Sequence, residues 1–264
     1  MFFFNFLFIA FSLFWPLQPS NGICSQMNTA YKGGESIRYT IYYNVLGLYM
    51  NAGKAEFTTK ESTWDSSPAY TFTATGKSNS KYDWIFKVRD KYESVVDKKT
   101  LLPYQFTRQI NEGGYHLKQE VLFNQKANTA IADGTLYKTT DCTFDVISAI
   151  YAARNINYSN LQLNDKITLN FFLDKELYPS YFKFLGRSEI TTRYGRFKVI
   201  KFAPLLLKGT MFSGGEKMVL WVTDDENHIP VRIETPIIIG SIKVDLDAYD
   251  NLRHPLSSLL EVVE

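Results

Sequence analysis

The sequence lacks most of the features by which metal enzymes and nucleic-acid-binding proteins are recognised. It contains only three histidines, His116, His228 and His254, in 264 residues. None of them has a second ligand at helical or strand spacing, whereas a zinc site needs three or four converging ligands. No metal site is therefore predicted, and the histidines are expected at the solvated surface. The 29 basic and 27 acidic residues are intermixed without a basic block, which argues against nucleic acid as a partner.

Nucleophilic motifs are missing as well. No Gly-x-Ser-x-Gly occurs. Ser-x-x-Lys begins at Ser78 and at Ser180, but in strand or loop context and without the partner motifs of penicillin-recognising enzymes. Cys142 follows Asp141, whose charge disfavours a thiolate, and no histidine is near it in sequence. The sequence therefore predicts no catalytic residue and no cofactor, and it favours a protein without enzymatic activity.

Positive charge is absent from the N-terminus, where the first basic residue is Lys32. The stretch from Met1 to Leu17 is strongly apolar but shorter than the roughly 20 residues that a membrane-spanning helix needs. It ends in two prolines and the small, polar residues Ser20-Asn21-Gly22. This layout predicts a secretory signal peptide over residues 1–25, although the basic n-region is missing. An N-terminal core strand and an uncleaved anchor are the alternatives, and a transmembrane span is not favoured.

The expected chemical state of the two cysteines depends on where the signal peptide is cleaved. Cleavage fits Ser20-Asn21-Gly22 and, less well, Ile23-Cys24-Ser25. A lipoprotein would be acylated at Cys24, but Ile23 stands where that motif prefers a small residue. Cleavage between Gly22 and Ser25 is expected to leave no internal disulfide and to make Cys142 a buried, inert thiol. Residues 26–264 are predicted to form a single, mainly-β domain.

Period-two alternation of apolar and polar residues dominates this domain. Ile37, Tyr39, Ile41 and Tyr43 share one face, and the same pattern recurs at Ala69 to Thr75, Tyr104 to Ile110, Tyr115 to Phe123, Ile167 to Leu173, Phe197 to Phe202, Met218 to Thr223 and Ile242 to Ala248. Such alternation is typical of antiparallel strands with one wet face. Gly113-Gly114 and Asp133-Gly134 fall between runs, where turns are expected. The apolar run Ile237-Ile238-Ile239 is predicted to be a central strand.

One segment has helical spacing instead. From Thr143 to Arg154, apolar residues recur at helical spacing. This spacing predicts a helix near residues 143–155. Asp141 or Thr143 can cap its start, and Arg154 suits the negative end of the helix dipole. The pattern predicts a mainly-β fold, in which a curved antiparallel sheet or half-barrel wraps around one central helix and is divided by it into N- and C-terminal segments.

Several short motifs resemble a bacterial envelope family catalogued as domain of unknown function 3108. They are Gly34-Glu35 with Ile37-Arg38-Tyr39, Ala52-Gly53-Lys54-Ala55, Asp97 with Leu101 to Pro103, Phe144-Asp145-Val146 with Ser148-Ala149, and Tyr151 to Arg154. The resemblance covers nearly all of the mature chain. It implies a Gram-negative protein of the periplasm or outer-membrane periphery, similar to the half-barrels that carry lipoproteins, and it supplies no catalytic residue.

Polar residues on otherwise apolar strand faces give the best candidate site. One predicted strand face carries Trp84, Phe86, Val88, Asp90 and Tyr92, and the next carries Tyr104, Phe106, Arg108 and Ile110. Folding back about Asp97 to Thr100 places Asp90 opposite Arg108, so the two are predicted to be cross-strand partners on the concave face. Such a pair either fixes the strand register or anchors a ligand in a groove. The candidate ligand-binding residues are Asp90, Arg108, Lys201, Trp84, Tyr104 and Phe106.

Three functions fit these patterns. The first is an exported, non-enzymatic envelope protein that binds an apolar or amphipathic ligand, such as a lipid or a lipoprotein acyl chain, in a curved-sheet groove. The second is a scaffold that binds another envelope protein. The third is a hydrolase of envelope polymers, which would need two converging carboxylates in a cleft. The first is preferred on fold analogy, and it leaves association with a membrane open.

Overall fold

In the computed structural model, which describes residues 22–24, 26–208 and 213–263, most of the chain forms one large sheet. The strands of the first half are β1 (Ser36–Val45), β2 (Leu48–Trp64), β3 (Ser67–Ser78), β4 (Arg89–Asp97), β5 (Pro103–Glu112), β6 (Tyr115–Asn124), β7 (Thr129–Ala132) and β8 (Thr135–Lys138). Those of the second half are β9 (Thr143–Phe144), β10 (Lys166–Leu173), β11 (Glu176–Thr191), β12 (Gly195–Pro204), β13 (Leu206–Lys208), β14 (Ser213–Gly215), β15 (Val219–Thr223), β16 (Pro230–Pro236), β17 (Ser241–Asp250) and β18 (Leu259–Val262). Helix α1 (Val146–Ala153) lies between β9 and β10, and a short 3-10 helix (Ser80–Tyr82) precedes β4.

The sheet has sixteen strands in the order β8-β7-β6-β5-β4-β3-β2-β1-β17-β16-β15-β12-β11-β10-β9, with β18 paired to β12. Its neighbours are antiparallel except for the parallel pair β9 and β10. Alternation explains the strands, since Ile37 and Tyr39 are buried whereas Arg38 between them is exposed. The prediction of a mainly-β, curved antiparallel fold is confirmed. The predicted signal peptide, apart from residues 22–24, lies outside the described residues.

The sheet is open, and its two ends meet through side chains rather than through a strand ladder. The Tyr137 ring lies 5.5 Å from that of Phe172, and Lys175 forms a 3.1 Å ion pair with Asp133. Gln125 donates a 2.9 Å hydrogen bond to the backbone carbonyl of Thr143. We call this junction of β6–β8 with β9 and the β10–β11 turn the seam.

Helix α1 fills the space inside the curved sheet. Tyr151 stacks on Phe72 of β3 at 3.8 Å between ring centroids, while Ala149 and Ala152 pack toward Ile167 and Ile200 on the opposite part of the sheet. The helix is thus buried from both sides, as an apolar helix inside a sheet must be. The predicted central helix is confirmed. No helix in the described part of the chain has the length and hydrophobicity needed to span a membrane.

The helix begins later than predicted, at Val146. Asp145, not Asp141 or Thr143, is its N-cap, and it accepts hydrogen bonds from the backbone N–H groups of Ile147 and Ser148 at 2.8 and 2.9 Å. Ser94 on β4 donates a further 2.6 Å hydrogen bond to the same carboxylate. Burial raises the pKa of Asp145, and these hydrogen bonds oppose the shift. Thr143 cannot act as cap because it lies in β9.

The cysteine prediction was wrong, because Cys24 and Cys142 form a disulfide with a Cα–Cα distance of 5.1 Å. This distance lies in the normal range for disulfides. Ile23 beside it is buried, and its N–H donates a 2.7 Å hydrogen bond to the carbonyl of Thr168 on β10. The prediction had placed Cys24 in the removed segment; in the structure, Cys24 is bonded to Cys142 and its neighbour Ile23 to Thr168.

A buried ion pair joins the end of α1 to the start of β1. Both guanidinium NH groups of Arg154 donate to Glu35, at 2.6 and 2.9 Å, and its Nε donates to the carbonyl of Asn227 at 3.0 Å. The Arg154 and Glu35 side chains are 5 and 0% exposed. Arg154 also lies 5.2 Å from the Tyr31 ring. The sequence suggested only a helix-dipole role for Arg154 and none for Glu35.

The histidine prediction was wrong for His228, which is half-buried beside this ion pair and not at the solvated surface. Its Nδ1 lies 2.7 Å from the carbonyl oxygen of Arg154, and its ring contacts Tyr158. Nδ1 therefore carries the proton and donates. Desolvation, with a smaller contribution from the positive charge of Arg154, lowers the pKa of His228 below 6.5.

This shift predicts a loss of stability in mild acid. Because the folded-state pKa is the lower one, the neutral imidazole stabilises the fold fully above pH 6.5, and stability declines as the pH falls from 6.5 toward the folded value. His228→Asn should weaken this pH dependence, since asparagine keeps an N–H donor and tolerates the φ of 46° at this position. Thermal unfolding between mildly acidic and neutral pH measures both. If the variant lost as much stability in acid as the unmodified protein, the pH dependence would belong to groups other than His228.

Candidate functional site

An apolar groove lies between the inner face of the sheet and the N-terminal end of α1. It has a volume of about 370 Å³ and is lined by Ala55, Phe57, Ala74, Thr75, Gly76, Asp90, Tyr92, Arg108, Val146, Ile147 and Leu173. This volume lies at the lower end of the range for small-molecule sites. Apolar walls with a few polar groups are the composition expected for such a site.

Small residues on neighbouring strands create the space. Ala55 on β2 is opposite Gly76 on β3, and Gly76 is opposite Asp90 on β4. A Cβ placed on Gly76 would meet no atom within 4 Å. A glycine inside a strand often marks a close approach by another chain or a ligand. Here it leaves the floor of the groove open.

Arg108 stands at one end of the groove and is almost fully buried. Its guanidinium donates a short hydrogen bond to Asp174 in the β10–β11 turn, across the seam. Asp174 itself is 61% exposed, and the Nε of Arg108 has no hydrogen-bond partner among the described residues. A buried guanidinium with an unsatisfied donor is costly, so Arg108 is the polar group of the groove whose hydrogen bonding is incomplete.

Asp90 carries a carboxylate at this end of the groove, and Glu112 lies near it on β5. Burial, together with its interaction with Asp90, raises the pKa of Glu112. Burial, helped by the negative charges of Asp90 and Glu112, raises the pKa of Tyr92 to about 12.

The predicted pairing of Asp90 with Arg108 is wrong. Arg108 lies opposite Tyr92, and Asp90 instead accepts a 2.9 Å hydrogen bond from the backbone N–H of Asn111. The register differs because the turn is wider than Asp97 to Thr100 and an irregularity follows Val95. Even so, Asp90 and Arg108 both line the groove.

The other predicted site residues are dispersed. Phe106 is buried in the core near Tyr92. Tyr104 falls at the strand irregularity, where it stacks on Trp64 at 5.9 Å and donates a 2.6 Å hydrogen bond to Asp97. Lys201 lies 5.8 Å from the Trp221 ring, away from the groove.

Trp84 is not on a strand and is 83% exposed, because β4 begins only at Arg89. Sequence reasoning missed Gly76 in the groove and the two acidic residues next to its polar groups, Glu112 near Asp90 and Asp174 at Arg108. A glycine interrupting a strand pattern and the turn residues Asp174-Lys175 were the available signals.

The described residues contain no group of three His, Cys, Asp or Glu side chains placed to hold a metal ion. The fold and the groove define a protein in which a large open sheet, not closed into a barrel, surrounds helix α1. The chain belongs to the family described as protein of unknown function (DUF3108), whose model matches residues 38–247.

The fold is similar to that of a solved structure, and two further structures match with lower scores. A β-barrel-like protein of domain of unknown function DUF1849 from Brucella abortus superposes with a TM-score of 0.53 at 9% identity, over 85% of this chain and 100% of that one. A candidate exported protein with a YmcC-like fold from Bacteroides fragilis gives 0.37 at 12% identity, over 86% and 100% of the two chains. A candidate lipoprotein from Parabacteroides distasonis gives 0.38 at 12% identity, over 86% and 99%. No curated protein matches the sequence significantly.

Proposed function

We propose that this protein is exported to the cell envelope, at the periplasm or outer-membrane periphery, and there binds an amphipathic ligand such as a lipid without acting on it chemically. The observation that carries the binding proposal is the groove itself: an open apolar floor at Gly76 that ends at a buried arginine with an unsatisfied donor. The apolar part of the ligand would lie against Ala74 and Gly76, and its polar part would contact Arg108.

Export is supported by the cysteine pair as well as by the N-terminal sequence. Disulfides form and persist in oxidising compartments and are rare in the cytosol. The Cys24–Cys142 disulfide also argues against lipid attachment at Cys24, because a sulfur atom in a disulfide cannot at the same time form the thioether of a lipoprotein.

Filling the groove should abolish binding without harming the fold. The Gly76→Leu substitution would place its side chain in open space, and replacing a strand glycine that lacks a positive φ reduces the entropy of the unfolded chain. We expect at least ten-fold weaker binding of the apolar fluorophore N-phenyl-1-naphthylamine, with stability unchanged or slightly increased. Fluorescence titration and thermal unfolding measure the two quantities.

Gly114→Leu is the matched control, because a Cβ at Gly114 also meets open space but lies outside the groove. It should bind the fluorophore as the unmodified protein does. Native mass spectrometry with lipid extraction, on protein purified from its own envelope without detergent, then identifies the natural ligand. Equal fluorophore binding by Gly76→Leu, or a ligand-free mass throughout, would overturn the groove proposal.

A further inference from the structure

Large apolar side chains are exposed at three neighbouring turns along one rim of the sheet. The β1–β2 turn exposes Leu46, Leu48 and Tyr49, and the β16–β17 turn exposes Ile238 and Ile239. The run Ile237-Ile238-Ile239 was predicted to be a central strand; that prediction is wrong, since β16 ends at Pro236 and Ile238 is 72% exposed. Apolar residues at the tips of turns have no core to fill, so they call for another explanation.

The third turn is the segment between β3 and β4. It exposes Trp84, Ile85 and Phe86 consecutively. A run of three exposed large hydrophobic residues is unusual for a soluble surface. Together, the exposed residues of these three turns form what we call the apolar rim.

Contacts hold the three turns side by side. Tyr43 at the end of β1 donates a 2.9 Å hydrogen bond to the carbonyl of Ile239. Gly240 packs so tightly on β1 that a Cβ would lie 2.1 Å from the carbonyl oxygen of Asn44. On the other side, the backbone N–H of Asn79 donates to the carbonyl of Ala52 at 2.8 Å. The sheet therefore holds the three turns at fixed positions along the same rim.

Basic residues flank the tip of the third turn. Residues 77–91 contain five basic side chains, Lys77, Lys81, Lys87, Arg89 and Lys91, and two acidic ones, Asp83 and Asp90. Arg89 and Lys91 pair with carboxylates. Lys77, Lys81 and Lys87 are exposed and have no ion pair within the described part of the chain. Lys81 and Lys87, which lie nearest to Trp84 and Phe86 in sequence, therefore add exposed positive charge beside the apolar tip.

We propose that the apolar rim docks onto the surface of an anionic lipid bilayer. Trp and Tyr favour the boundary between headgroups and acyl chains, where one end of the ring is apolar and the other is wet. Lysines next to such a tip attract anionic headgroups. Separate protruding turns can each enter a fluid lipid surface, whereas a protein partner would need a matching concave face. This inference stands without the groove proposal.

Co-sedimentation with vesicles tests the docking. The purified protein should partition into vesicles of phosphatidylethanolamine and phosphatidylglycerol and much less into vesicles of phosphatidylcholine alone, and added salt should weaken the binding. Replacing both Trp84 and Phe86 by Ser should reduce partitioning at least ten-fold. Lys81→Glu and Lys87→Glu should each reduce it about five-fold or more. These side chains are exposed, so the variants should fold normally.

The opposite ends of the strands supply matched controls. Leu163, 66% exposed in the loop before β10, replaced by Ser, and exposed Lys60 near the far end of β2, replaced by Glu, should bind vesicles as the unmodified protein does. Gly76→Leu should also keep vesicle binding, which separates this proposal from the groove. Absence of vesicle binding, equal binding by the rim and control variants, or rim-dependent capture of a soluble envelope protein without vesicle binding would each overturn it.

Discussion

Replacing Arg154 by methionine is expected to lower the free energy of unfolding by about 3 to 5 kcal/mol. The substitution leaves the Glu35 carboxylate, whose side chain is 0% exposed, without its bidentate partner in an apolar interior. It also removes the donor to the carbonyl of Asn227 and so loosens the β15–β16 loop. Urea unfolding followed by fluorescence or circular dichroism gives the value directly.

Arg38→Met is the matched control, because Arg38 pairs with Asp250 at 2.9 Å with both side chains well exposed. An exposed pair of this kind contributes only about 0 to 1 kcal/mol. The double variant Glu35→Met with Arg154→Met should recover part of the loss, since no unpaired charge then remains buried. A loss of less than about 1 kcal/mol for Arg154→Met would mean that water reaches Glu35.

The second large effect concerns the disulfide. Cys24 and Cys142 are 118 residues apart, so the cross-link closes a very long loop in the unfolded chain. The chain-entropy model assigns about 4 to 5 kcal/mol to a loop of this size. Cys142→Ser should therefore cost about that much stability, and unfolding in urea with and without reductant measures it.

The two single variants and the double variant together test whether Cys24 and Cys142 are joined in one bond. Cys24→Ser should lose as much stability as Cys142→Ser, and the double variant should lose no more, because each change removes the same bond. Reductant should lower the unfolding midpoint of the unmodified protein and leave the variants unaffected. Two free thiols in the folded protein, or an acylated Cys24, would contradict the assignment.

The fold could be predicted because the local signals agree with the global arrangement. Residues such as Ile37 and Tyr39 alternate with polar neighbours over most strands, and one apolar segment with a 3.6-residue period had to lie inside the sheet. The helix boundary moved by three residues, because Asp145 outcompetes Thr143 as a cap once Ser94 reaches it from β4.

The site was harder to predict because its partners are distant in sequence. Arg108 was recognised as a polar residue on an apolar face, but its partner Asp174 is 66 residues away and arrives across the seam. The pairing with Asp90 failed through a small difference in turn length, which shifts every cross-strand partner. The buried pair of Glu35 and Arg154, 119 residues apart, leaves no periodic signal at all.

The apolar run at 237–239 shows a second limit. High hydrophobicity and β propensity predicted a central strand, and only the adjacent Gly240, with a φ of 85°, indicates the turn that the structure shows. Composition cannot distinguish a residue that fills a core from one presented to the outside.

The open seam has a mechanical consequence. A curved open sheet can widen by opening at the gap between its edge strands, whereas a closed barrel can widen only by breaking the hydrogen bonds between two strands. The sheet around α1 is open in this sense, because its two edges are joined at the seam by side-chain contacts such as that of Lys175 with Asp133. Since Arg108 reaches Asp174 across it, widening the gap also widens the mouth of the groove. The sheet around α1 can therefore widen at the seam while its strand ladder stays intact.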